Sequence, residues 1–115
     1  MRIVLVPQER SATLVAGDLI FILAHIAGGG DWQHSLRLLR EFPNVLVDLS
    51  GSGVDGGMLE QCIEAAGVER LLWGCDLTMD TGLAKLRYLA TLLSGAELEL
   101  VRWRNAARIF GGGLT

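Results

Sequence analysis

Apolar residues fall along this chain in short unbroken runs, separated by stretches where they recur every three or four positions. Ile3 to Val6, Leu19 to Ala24, Val45 to Val47 and Leu71 to Trp73 contain no polar residue. Runs that do not alternate with polar positions suit parallel strands covered by helices. They predict strands near residues 2–6, 19–24, 45–49 and 71–74, adjacent in that order, with helices on one face.

The intervening stretches carry helical spacing. Trp32, Leu36 and Leu39 form one stripe, Leu59, Cys62, Ile63 and Ala66 a second, and Leu83, Leu86, Ala90 and Leu93 a third. Boundary signals agree with them. Asp31, and Asp80 or Thr81, can accept bonds from the free amides of a helix start. Pro43 cannot continue the helix before it, and Gly67 suits a left-handed cap after the next. Ser94 and Glu97 match a capping box, so a last helix starts there and runs toward Arg102. Strands alternating with helices at similar spacing predict an α/β fold with right-handed crossovers.

In parallel sheets ligands bind beyond the carboxyl ends of the strands. The residues to weigh are therefore His25 with Gly28-Gly29-Gly30, Asp48 with Ser50-Gly51-Ser52-Gly53, and Gly74-Cys75-Asp76. One reading is a metal-assisted hydrolytic site. A strand-end Asp can hold a divalent cation and take a proton from bound water. A neighbouring His can polarise a substrate oxygen or carry the proton. Glycines such as Gly28 and Gly29 let backbone amides come close to substrate. A second reading is dinucleotide binding. Gly51-Ser52-Gly53-Val54-Asp55-Gly56 fits G-x-G-x-x-G, with Asp76 about 20 residues further on. Against it, Asp48 and Asp55 would repel a pyrophosphate.

Composition narrows the picture little but usefully. The 115 residues are half hydrophobic and carry a net charge of −3. That suits one globular domain over 1–115 and argues against a nucleic-acid or anionic-membrane partner. Arg102, Arg104 and Arg108 gather near the C-terminus and read as a solvated face. The longest apolar run is far below the roughly 20 residues that span a bilayer. Cys62 and Cys75 lack paired spacing and read as two reduced, buried thiols of a cytoplasmic protein.

Four segments, in order and naturally spaced, resemble the amidohydrolase-related metal-dependent hydrolases, the second amidohydrolase group. Residues 21–30, ending Ala24-His25-Ile26-Ala27-Gly28-Gly29-Gly30, resemble that family's sixth strand. Pro43 to Gly51 resembles the seventh, and Val68 to Asp76, ending Trp73-Gly74-Cys75-Asp76, the eighth. Asn105-Ala106-Ala107-Arg108-Ile109-Phe110-Gly111 resembles the closing Asn-Ala-x-Arg-hydrophobic-Gly signature. The match spans residues 19–111, accounts for the Gly51 to Gly56 loop, and leaves 1–18 as a divergent start.

The resemblance implies a TIM (β/α)8 barrel of which this chain holds a part, roughly strands five or six to eight. It implies a mononuclear zinc or manganese site and hydrolysis or decarboxylation of a small carboxylated substrate. By position Asp76 becomes the metal ligand and water-activating base, and His25 the substrate-side acid/base. Gly28, Gly29 and Ser50 line the substrate. The family's first-strand His-x-His pair is missing. Pro7 and Gln8 stand where a fifth-strand His would be, and His34 falls on a helix surface. One ligand is present where a catalytic zinc needs three. The isolated chain is therefore expected to bind metal weakly, to be weakly active or inactive, and to need a missing N-terminal half or a second copy of itself. The alternative is a non-catalytic remnant that acts as an interaction module through its open sheet edges.

Overall fold

The computed structural model describes residues 2–6, 19–26, 32–51 and 54–111. Four strands form one parallel sheet: β1 (Arg2–Val6), β2 (Leu19–Leu23), β3 (Val45–Asp48) and β4 (Leu71–Leu72), ordered β1-β2-β3-β4. The expected order and direction hold. The last strand is shorter than expected, because Trp73 turns its amide to the Val101 carbonyl instead of a neighbouring strand. The helices are α1 (Trp32–Glu41), α2 (Met58–Ala66), α3 (Leu83–Leu92), α4 (Gly95–Glu99) and α5 (Asn105–Phe110). A π-helical turn over Leu100–Arg104 joins α4 to α5. The capping box is formed: Ser94 Oγ accepts from Glu97 N, and the Glu97 carboxylate accepts from Ser94 N.

Alternate strand residues serve opposite faces. Phe21, Leu23, Val45, Val47 and Leu71 join a core with Trp32, Leu36 and Leu39 of α1 and Leu59 and Cys62 of α2. Ile22, Leu46 and Leu72 form a second cluster with Ile109 of α5. The helices therefore do not all lie on one face. A strand that is apolar on both sides needs cover on both, and α5 supplies the second. The stripe expected on α3 also differs. Lys85 and Leu89 are its buried residues, while Leu83 and Ala90 are exposed. Asp80 and Thr81 accept from Gly82 N and Leu83 N, but the residue capping α3 is Gly82, at φ 71°. Asp31 lies outside the described residues. Gly67 does take a positive φ, 72°, though its ψ of 162° is outside the left-handed helical region.

Two side chains hold the amino ends of the strands. The Arg70 guanidinium donates to the carbonyls of Leu39, Phe42, Val45, Ala65 and Ala66. It thereby satisfies carbonyls at the C-terminal ends of α1 and α2 together, where a cation is favoured. Asn105 is fully buried, and its Nδ2 donates to the Val68 and Leu71 carbonyls. Arg108 in turn donates to Asn105 Oδ1 and to the Glu69 carbonyl. The Asn-Ala-Ala-Arg segment is thus a device for seating α5 under β4. Arg108 stays exposed with Arg102 and Arg104, as the sequence assigned it, and makes these bonds from the surface.

Candidate active site at the carboxyl ends of the strands

Parallel strands put their carboxyl ends on one side, so the segments after β2, β3 and β4 meet. His25 follows β2, Ser50 follows β3 and Asp76 follows β4, and the structure brings all three together. His25 Nδ1 lies 3.2 Å from Ser50 Oγ and 3.8 Å from Asp76 Oδ2. The His25 side chain is half exposed and that of Asp76 about a third, so both are open to small molecules. Gly28 and Gly29, expected to line the substrate, lie outside the described residues.

Both outer members sit in strained backbone. His25 has φ 57° and Asp76 φ 66°; among the described residues they are the non-glycine positions with positive φ. This conformation is uncommon for residues with a Cβ, and its outliers gather at functional sites. The chain turns sharply after Asp76, whose carbonyl accepts from the amides of Met79 and Asp80.

Beneath the pair is a polar layer that sequence reasoning did not assemble. Asp48, the last residue of β3, accepts from Ser50 twice: Oδ1 from the backbone N–H at 2.8 Å and Oδ2 from the hydroxyl at 2.7 Å. The Asp-x-Ser spacing was the available signal, since an Asp side chain often takes the amide two residues on. Lys85 of α3 is 1% exposed and donates to the Leu49 carbonyl at 2.7 Å and to the Gly51 carbonyl. Burial lowers the pKa of its ammonium, against the opposing pull of Asp80, Asp48 and Asp76. No periodicity marked this lysine. Only the tertiary placement of α3 against the bend at 49–51 gives it partners.

The other candidates resolve as structure. Asp55 Oδ2 accepts from Trp32 Nε1 at 2.7 Å, tying the start of α1 to the turn before α2. That carboxylate stands where the dinucleotide reading needs room for a pyrophosphate. His34 is exposed on α1, as expected. Of the two thiols Cys62 is buried, and burial pushes its pKa up to about 12. Cys75, expected to be buried, is only partly so, because it lies in the irregular segment between β4 and α3.

A family model described as amidohydrolase matches residues 16–112. Among curated proteins none matches the chain. Solved structures do. An amidohydrolase from Burkholderia multivorans with bound zinc is 24% identical over 77% of this chain and 43% of its own, with TM-score 0.60. A 5-carboxyvanillate decarboxylase from Sphingomonas paucimobilis is 22% identical over 80% of this chain and 33% of its own, with TM-score 0.60. A dihydroxybenzoic acid decarboxylase from Polaromonas, with bound manganese and 2-nitroresorcinol, is 20% identical over 80% and 33%, with TM-score 0.57. At these identities the likeness is one of fold. The chain spans between a third and somewhat under half of the length of these structures.

Zinc and manganese in two of these structures raise the question whether this chain can hold such an ion. Among the described residues no three His, Cys, Asp or Glu side chains gather closely enough to do so. His25 and Asp76 offer two donors, and both oxygens of Asp48 are engaged by Ser50. A catalytic zinc takes three protein ligands. The described residues do not by themselves complete a metal site.

Proposed function

The chain belongs to the amidohydrolase family, and from that premise we propose that it forms part of the active-site wall of a (β/α)8-barrel hydrolase or decarboxylase. In this reading β2, β3 and β4 are the sixth, seventh and eighth barrel strands. The observation that carries it is the meeting of His25 and Asp76, each left-handed at a strand end, with Nδ1 and Oδ2 3.8 Å apart. Strain at two partly exposed ionisable residues suits a site that must present reactive groups. It does not suit an interaction module, whose sheet edges would need neither residue.

Asp76 is the proposed donor to a divalent cation, zinc or manganese, whose other donors come from outside the described residues. His25 is the acid/base facing a small carboxylated substrate. Ser50, also proposed to line that substrate, is 5% exposed and bonded to Asp48 and His25. Gly28 and Gly29 keep their proposed place beside the substrate. The remaining strands of a barrel or a second copy of the chain would complete the wall, in a cytoplasmic setting that suits the free thiols Cys62 and Cys75. Among the described residues no helix is long and apolar enough to cross a membrane.

Zinc titration of the full chain by calorimetry tests the reading. Weak binding at one site, lost in Asp76→Asn, is expected. Zinc binding that is absent, or unchanged in Asp76→Asn, would overturn it.

A further inference from the structure

We infer that Asp48, acting through Ser50, is a positioning residue that fixes the His25 proton on Nδ1 and so leaves Nε2 as the bare, basic nitrogen. The inference rests on His25 being the acid/base of the site.

An ionised carboxylate can only accept. Asp48 Oδ2 lies 2.7 Å from Ser50 Oγ, so the single hydroxyl proton of Ser50 is spent on Asp48. The backbone amide of Ser50 holds the other carboxylate oxygen at 2.8 Å, which keeps Asp48 from turning away. Toward His25 Nδ1, 3.2 Å away, Ser50 Oγ therefore has only a lone pair to offer. Nδ1 must carry the hydrogen. The second group near Nδ1, Asp76 Oδ2 at 3.8 Å, is also an acceptor and does not oppose this. In a neutral imidazole one nitrogen is donor and the other acceptor, and the partner of the first decides the second. Nε2 is then free to take a proton or to act as a ligand.

Replacing Asp48 by Asn, which has nearly the same shape, should reverse this. The Asn oxygen keeps the Ser50 amide, its NH2 faces Ser50 Oγ as a donor, and the hydroxyl proton is released toward His25. Nδ1 then becomes the acceptor. Losing the correct tautomer while keeping the geometry is a recognised way to disable an imidazole base.

The chain has only two histidines, and His34 lies exposed on α1. Long-range proton–nitrogen spectra of the full chain with 15N-labelled histidine can therefore read each ring, with His34 as the reference. His25 is expected mainly as the Nδ1–H tautomer. Asp48→Asn and Ser50→Ala should lower that share at least several-fold, Ser50→Thr should restore it, and Asp76→Asn should leave it in place. An Nε2–H ring in the native chain would overturn the inference. So would indifference to both Asp48→Asn and Ser50→Ala, or loss of the Nδ1–H form in Asp76→Asn alone. If Asp48→Asn fails to fold, the native spectrum with Ser50→Ala and Ser50→Thr decides. Nδ1–H in a chain without Asp76-dependent zinc binding would sink the proposed function only. Nε2–H in a chain with such binding would sink this inference only.

Discussion

Gly74 packs so closely against Asp48 that a Cβ added to it would stand 2.8 Å from Oδ1, and 3.2 Å from the Ser50 Cβ. Only a hydrogen fits there. Overpacking of this kind typically costs about 1–3 kcal/mol. Gly74→Ala is expected to destabilise by that much in urea unfolding and to disturb the His25 spectrum as Ser50→Ala does. A variant of unchanged stability would show that Asp48 is free to move aside.

The strain at Asp76 gives a second expectation. A left-handed residue with a Cβ costs roughly 1–2 kcal/mol that glycine does not. Asp76 is at φ 66°. Asp76→Gly should therefore be more stable than Asp76→Ala by about 1 kcal/mol, the reverse of the usual order inside helices and strands. Both should lose zinc binding. Chemical unfolding of the two variants side by side checks this.

Arg70 should be costly to lose. Arg70→Ala abandons five backbone carbonyls at once. Leaving partly buried acceptors unpaired costs about 1–3 kcal/mol each at most, and some will find water, so roughly 3 kcal/mol in total is expected. Arg70→Lys should recover little, because an ammonium lacks the planar five-donor fork. Recovery of full stability in the lysine variant would show that charge alone suffices.

The Cys62 thiol implies a pH dependence. Its pKa is raised from 9.0 to about 12, so between those values the folded chain binds more protons than the unfolded one. Stability from this thiol is complete below pH 9 and is lost as pH rises toward 12, by about 4 kcal/mol in all at 1.36 kcal/mol per unit. Cys62→Ala should unfold less steeply with alkali than the native chain. Below pH 9 a thiol reagent should modify Cys75 well before Cys62.

Association is the last expectation. Leu77 and Met79, just after Asp76, are 75% and 78% exposed, and Leu83 is half exposed. β1 is an edge of the described sheet. Exposed apolar side chains and an open sheet edge each favour self-association. Light scattering on the native chain should give a mass that rises with concentration, and Leu77→Ser with Met79→Ser should reduce the rise. A concentration-independent monomer would remove the case for a second copy.

Residues near one another in the chain were largely legible from the sequence. The unbroken apolar runs determined four parallel strands, and Ser94 with Glu97 determined a helix start, because strand burial and capping depend on neighbours a few positions away. The strand ends carrying His25 and Asp76 were also legible, since parallel direction alone puts them on one side. What required the tertiary structure was every bond across long separations. Lys85 sits in an apolar stretch of α3 and has meaning only because the 49–51 bend turns two carbonyls toward it. Arg70 reads as an ordinary loop cation until α1 and α2 end beside it. Asp48 looked like one more strand-end carboxylate. Only the approach of β2 to β3, which sets His25 on the far side of the Ser50 hydroxyl, makes it the residue that decides which imidazole nitrogen carries the proton.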